Sequence, residues 1–158
     1  MRSWFTPVSL AAASVVVLAA CGTATPTATL DGESPQAQLI LAKSRWERSG
    51  ITSYTYTTAQ QCFCPQDYVA PVVVDVRDGV VKGVAFADGR AGDVPDPQRF
   101  GTVDDLFAML QDAIDRGAVS ITVEYERQLG YPTTAFIDYD ALIADEEQGF
   151  AVSELTAR

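Results

Sequence analysis

Three cysteines are the most chemically versatile side chains in this sequence, and their spacing separates them into a pair and a singleton. Cys62-Phe63-Cys64-Pro65 puts two thiols two residues apart, while Cys21 follows directly on Leu18-Ala19-Ala20. Thiols at i and i+2 can close a structural disulfide, cycle as a redox couple, or bind a soft metal as thiolates. A closed metal site takes three or four ligands, and the chain has no His to complete one. In an extended strand the two Cys lie near the upper limit for bridging, so a local turn before Pro65 is needed. Cys62 and Cys64 are read as a structural disulfide, with redox or metal handling as the alternative. Phe63, opposite both sulfurs, is expected in the core.

The remaining chemistry would have to come from carboxylates. Without His, neither a Ser-His-Asp nor a Cys-His arrangement can be built. Asn is absent too, so there is no N-glycosylation acceptor. Asp138-Tyr139-Asp140 and Asp145-Glu146-Glu147 form an acid cluster that invites a calcium reading. The loop pattern of calcium-binding helix pairs fails, because Leu142 and Ile143 stand where a ligand and the Gly are needed. The segment from Asp138 to Glu147 is therefore expected to be a solvated connection. No spacing singles out a carboxylate pair for glycosidase-type hydrolysis. No catalytic residue, metal ligand or cofactor is assigned.

The chain has 158 residues, with 11 basic and 21 acidic side chains and a formal charge of −10. That length suits one domain of ordinary size. The charge argues against a nucleic-acid partner, which needs a basic footprint.

Cys21 belongs to an address. Arg2 is followed by residues 4–20 without a charge and by a dense apolar run from Val15 to Ala20. This is the layout of a signal peptide over residues 1–20, too short and too interrupted for a membrane span. The junction Leu18-Ala19-Ala20-Cys21 resembles the lipobox of bacterial lipoproteins, which implies cleavage before Cys21 and lipidation of its thiol. Residues 21–33 then hold the lipidated Cys and a flexible tether rich in Thr, Ala, Pro and Gly, spanning roughly 20 Å.

The folded domain is expected over residues 34–158. Ser34-Pro35 starts a helix and Ser49-Gly50 stops it. Leu39, Ala42 and Trp46 form its apolar stripe, with Ile40 and Leu41 alongside. Thr52 to Thr58 reads as a strand. Asp78-Gly79 marks a type I′ hairpin. Pairing Arg77 with Val80 sets Asp75 opposite Lys82 and Val73 opposite Val84. The apolar face then collects Val72, Val74, Val76, Val81 and Ala85. Residues 88–101 are a Gly- and Pro-rich loop. Thr102 caps a second helix, striped by Val103, Leu106, Leu110 and Ala113 or Ile114, with an Asp112–Arg116 pair at i,i+4. Alternation from Val119 to Arg127, then Thr133 to Asp138 and a short Phe150 to Leu155, supplies three more strands. The order αβββαβββ predicts an α+β fold: an antiparallel sheet of about six strands with two helices packed on one face.

The chain also resembles a family of uncharacterised secreted bacterial lipoproteins, a domain of unknown function. The shared signposts are Tyr54-Thr55-Tyr56, Cys62-Phe63-Cys64-Pro65, Arg77-Asp78-Gly79, Thr102-Val103-Asp104-Asp105-Leu106-Phe107, Tyr125 and Gly130-Tyr131-Pro132-Thr133. Ile137-Asp138 and Asp145-Glu146 match as well. The resemblance implies a cell-envelope lipoprotein and carries no activity. The functional expectation is a non-enzymatic binding or interaction module on the extracytoplasmic face of a bacterial membrane. It would be anchored through Cys21 and would bind an envelope protein or ligand. A thiol-disulfide or metal-handling protein using Cys62 and Cys64 is the alternative.

Overall fold

A computed structural model describes residues 34–143 and 147–158. Two helices and six strands form its frame: α1 (Pro35–Ser49), β1 (Tyr54–Gln61), the single turn α2 (Gln66–Val69), β2 (Val72–Arg77), β3 (Val80–Phe86), α3 (Val103–Asp115), β4 (Ser120–Tyr125), β5 (Pro132–Asp138) and β6 (Gln148–Ala157). A 3₁₀ turn at Pro97–Arg99 interrupts the long loop before α3. The sheet is antiparallel throughout, in the order β3-β2-β1-β6-β5-β4. The α+β expectation of six strands and two long helices therefore holds, with α2 as an addition that buries none of its residues.

Local chemistry sets the helix ends. Ser34 accepts a hydrogen bond from the Ala37 N–H at the start of α1, and Gly50 ends the helix in the left-handed region at φ 64°. At α3, Thr102 and Asp105 form a reciprocal capping box. The stripes fall as the periodicity required. Leu39, Ala42 and Trp46 are buried on α1, and Val103, Leu106, Phe107, Leu110 and Ala113 on α3. They cover Tyr54, Tyr56, Val72, Val74, Val76, Ala135, Ile137, Phe150 and Val152 of the sheet in one core. Truncating any one of its larger aliphatic side chains would cost about 2–5 kcal/mol. Ile40 and Leu41 stay exposed, and the amides of Gln36 and Gln111 pair where the helices meet.

The β2–β3 hairpin turns on Asp78 and Gly79, both at positive φ, as a type I′ turn demands. Its register departs from the expected one. Arg77 pairs with Val80 and Val76 with Val81, but Asp75 then faces Gly83, Val74 faces Val84 and Val72 faces Phe86. Lys82 is the extra residue of a β-bulge. With an unbroken register Ala85 would point inward and Phe86 outward. The bulge exchanges them, burying Phe86 and leaving Lys82 and Ala85 exposed. Asp75 consequently has no Lys82 partner. It is held by Arg77 on its own strand, at 2.8 Å, with Arg158 at 3.9 Å. The Arg77 hydrogen bond keeps the Asp75 carboxyl below the usual carboxylate range.

β6 is longer than the expected short strand and lies in the middle of the sheet, between β1 and β5. A register shift between Thr55 and Thr57 meets Glu154, which sits at φ 53°. Trp46 stands edge-on to Tyr54 and Tyr131, with centroids 5.3 and 6.3 Å away. Gly130 lets the β4–β5 connection touch α1. A Cβ there would lie 2.3 Å from the Ala42 carbonyl oxygen.

Candidate functional site

The 61–65 loop and the 138–148 connection lie at the same end of the sheet, because Gln61 pairs with Gly149 and Ile137 with Gln148. Cys62 and Cys64 are joined by a disulfide there, with Cα atoms 5.3 Å apart, and the Cys64 N–H donates to the Cys62 carbonyl. The turn that the pairing needed is therefore present. Phe63 does not go to the core: it is 89% exposed, because the tight loop throws its side chain outward from the sheet end. Cys64 is exposed and Cys62 half-buried.

Behind this loop lies a cleft of about 450 Å³. Its floor is the helix-facing surface of the sheet, with Tyr56, Thr58 and Phe150. Leu106 and Met109 of α3 form one wall, and the disulfide sits on the rim. Two cations face it, Arg99 and Arg116. Residues 99–101, with Leu106 and Met109, also form the wall of a broader surface groove of about 840 Å³ running to the β2–β3 hairpin.

Two tyrosines fix this wall to the sheet. The Tyr56 hydroxyl donates to the Gly101 carbonyl at 2.6 Å, and the Tyr54 hydroxyl accepts from the Val103 N–H at 2.8 Å. Val103 is the first residue of α3, so Tyr54 satisfies one of the N–H groups that a helix start leaves unpaired. Burial raises the Tyr54 phenol to about 12, against the lowering effect of that hydrogen bond. Burial also pushes Tyr56 well above its ordinary value. Both rings stay neutral at physiological pH and act as struts.

Arg99 is held in a different way from most cations of the domain. Arg77, Arg90 and Arg116 pair with Asp75, Asp67 and Asp112 at 2.8, 3.0 and 3.4 Å. Arg99 has no carboxylate partner among the described residues. Its guanidinium lies 4.7 Å from the ring centroids of both Tyr68 and Phe100, and Nη2 donates to the Tyr68 carbonyl oxygen. Its Nε is buried without a partner. Each ring contact contributes about 0.5–2 kcal/mol, while a buried donor left unpaired costs about 1–3 kcal/mol. Arg116 stacks over Tyr139 at 4.3 Å, and Glu147 lines the same cleft.

Of the residues singled out in the sequence, Cys62 and Cys64 are at this site. Cys21 and the segments expected as signal peptide and tether, residues 1–33, lie outside the described residues. In the acidic segment the Asp138 and Asp140 carboxylates accept from the Asp140 and Leu142 N–H groups, while Asp145 and Glu146 lie outside the described residues. No group of three or more metal-ligating side chains occurs among the described residues. No described helix is long and apolar enough to cross a membrane. Sequence reasoning missed Arg99 and Tyr139, and saw Arg116 only as the partner of Asp112. The one available signal was Arg99 beside Phe100 in a Gly- and Pro-rich loop.

Residues 38–157 match a family of unknown function, DUF6174, and the chain belongs to that family. Comparison with curated proteins and with solved structures found no match.

Proposed function

We propose that this member of the family is a lipid-anchored binding module of the bacterial cell envelope, and that the cleft behind the Cys62–Cys64 loop receives its ligand. The anchor is the thiol of Cys21, after removal of residues 1–20, and the domain is carried on the extracytoplasmic side by the tether. One observation supports the cleft above the rest of the surface: Arg99 and Arg116 border it together with aromatic and aliphatic side chains, in a chain of formal charge −10. Half-apolar concavities with a few convergent polar groups are the usual form of a ligand site. The module is proposed as non-enzymatic on the ground that the sequence has no His and no spacing that singles out a carboxylate pair.

The test is photo-crosslinking in intact cells, with a benzophenone amino acid at Met109 in the cleft or at Thr122 on the opposite sheet surface. A species captured from Met109 and absent from Thr122 supports the reading. Equal capture at both positions, or a Cys21→Ser chain that stays processed and membrane-bound, refutes it.

A second reading is favoured by the exposure of Cys64. An accessible disulfide on a cleft rim can be attacked by an external thiolate, and exposed disulfides tend to be the labile ones. On this reading Cys62 and Cys64 exchange with a substrate thiol. A bridge in equilibrium with glutathione at envelope potentials supports it, and a bridge that resists glutathione excludes it.

A further inference from the structure

We propose that the cleft takes a small carboxylate with an aromatic or aliphatic body, held by Arg99. This deepens the proposed function and rests on its choice of cleft.

An arginine carries five N–H donors in a rigid fork. Among the described residues the Arg99 guanidinium makes one hydrogen bond, from Nη2 to the Tyr68 carbonyl, and no ion pair, while its Nε is buried without a partner. Such a group could simply wave in solvent, but Arg99 does not. Tyr68 and Phe100 clamp its guanidinium, and Arg99, the last residue of the 3₁₀ turn, is half-buried. The ordering entropy of a long side chain has therefore been met before any ligand arrives, which favours tight use of the remaining donors.

Charge narrows the class. Acidic residues outnumber basic ones by 21 to 11, so the field over most of the surface opposes anions. Of the two cations at the cleft, Arg116 is already offset by Asp112, which lies outside the cleft lining. Arg99 is left as the cleft cation without a carboxylate partner among the described residues. A planar carboxylate matches its fork better than a compact point charge would. The walls supply the rest. Leu106, Met109, Phe100 and Phe150 accept an apolar body, and Thr58 with Gln60 can bond a polar substituent.

The experiment uses the full-length protein and three probes sharing one body: 4-phenylbutyrate, 4-phenylbutanol and 4-phenylbutylamine. Affinity is read by titration, and position from the chemical shift of the Met109 methyl group. The carboxylate should bind at least about tenfold more tightly than the alcohol, as a charge-assisted pair predicts, and the amine should be weakest. Arg99→Gln should bring the carboxylate to the level of the alcohol, and Arg99→Lys should restore part of the difference. If Arg99→Gln does not fold, raising the salt concentration on the unaltered protein gives the same test: the carboxylate advantage must shrink while alcohol binding holds. Equal binding of acid and alcohol at Met109 would overturn the carboxylate assignment and leave the cleft as a ligand site. Failure of all three probes to shift Met109 at millimolar concentration would count against both.

Discussion

Replacing Tyr54 with Phe isolates one atom that joins the sheet to α3. The ring stays, so its packing on Trp46 and Tyr56 is kept, with centroids 5.3 and 6.0 Å apart. What disappears is the acceptor for the Val103 N–H, a bond of 2.8 Å between fully buried residues. Other N–H groups at this helix start have partners: Thr102 N–H goes to Asp105, Asp105 N–H to the Thr102 hydroxyl, and Leu106 N–H to the Thr102 carbonyl. Val103 has no substitute, so Tyr54→Phe should cost about 1–3 kcal/mol, the penalty for a buried donor left unpaired. Tyr56→Phe removes a bond of similar length to the half-buried Gly101 carbonyl. That oxygen keeps a second lone pair and access to water, so the loss should be about 0.5–1.5 kcal/mol. At about 3–5 °C per kcal/mol, the expected falls in Tm are roughly 3–15 °C and 2–8 °C. Denaturant unfolding followed by circular dichroism measures both, with an unchanged slope showing that only stability moved. Amide exchange at Val103 should accelerate in Tyr54→Phe alone. The reasoning fails if the two variants are equally destabilised or if Tyr54→Phe is neutral.

Tyr54 also sets an alkaline limit. Its folded pKa is raised from 10.0 to about 12, so the folded chain keeps a proton that the unfolded chain releases, and the stability is intact below pH 10 and lost between pH 10 and about 12; unfolding midpoints and phenolate absorbance should change together in that window. Gly130→Ala should be among the most damaging single substitutions, because its Cβ would meet the Ala42 carbonyl at 2.3 Å, whereas Gly79→Ala, with open space and only its positive φ to strain, should cost about 1–2 kcal/mol; thermal unfolding of both checks the contrast. The Cys62→Ser, Cys64→Ser double variant should fold and lose about 1–2 kcal/mol, since so short a loop removes little entropy from the unfolded chain; failure to fold would show that the bridge specifies the fold.

The parts of this fold that could be read from sequence are those where one local rule decides. Ser34-Pro35, Gly50 and Thr102 mark helix ends through backbone hydrogen bonding, and Asp78-Gly79 needs only two residues at positive φ. The burial alternation of residues 120–125 survives, while Val119, expected on the apolar side, is exposed. The errors arise where a tertiary preference overrides a local one. Lys82 bulges because burying Phe86 outweighs a regular ladder, and nothing within the hairpin sequence states that preference. β6 was foreshortened because Gln148, Gly149, Ser153 and Glu154 spoil its period, yet pairing on both sides makes it a central strand. Phe63 is a large apolar residue in an apolar-looking position, turned outward by a loop whose course the bridge dictates. The cleft was invisible for a related reason. Arg99, Arg116 and Tyr139 come from three separate segments, and only the sheet order brings them together.

That order has a consequence for how the molecule is made. β1, β2 and β3 form one meander and β4, β5 and β6 another, and the seam between them is the pairing of β1 with β6. The Thr58 hydroxyl reaches across this seam to the Ala151 carbonyl, 93 residues away in the chain. Until β6 arrives, β1 has an open edge in the centre of what will be the sheet, and open edges recruit other strands. If the chain is exported as proposed and crosses the membrane unfolded, it would emerge first meander first and hold that edge bare until its last dozen residues cleared. Long-range closure of this kind is slow and exposed to aggregation. On the proposed export route the domain is therefore vulnerable during delivery rather than after it, and losses from its last strand should show as failed export or clumping before they show as a weaker fold.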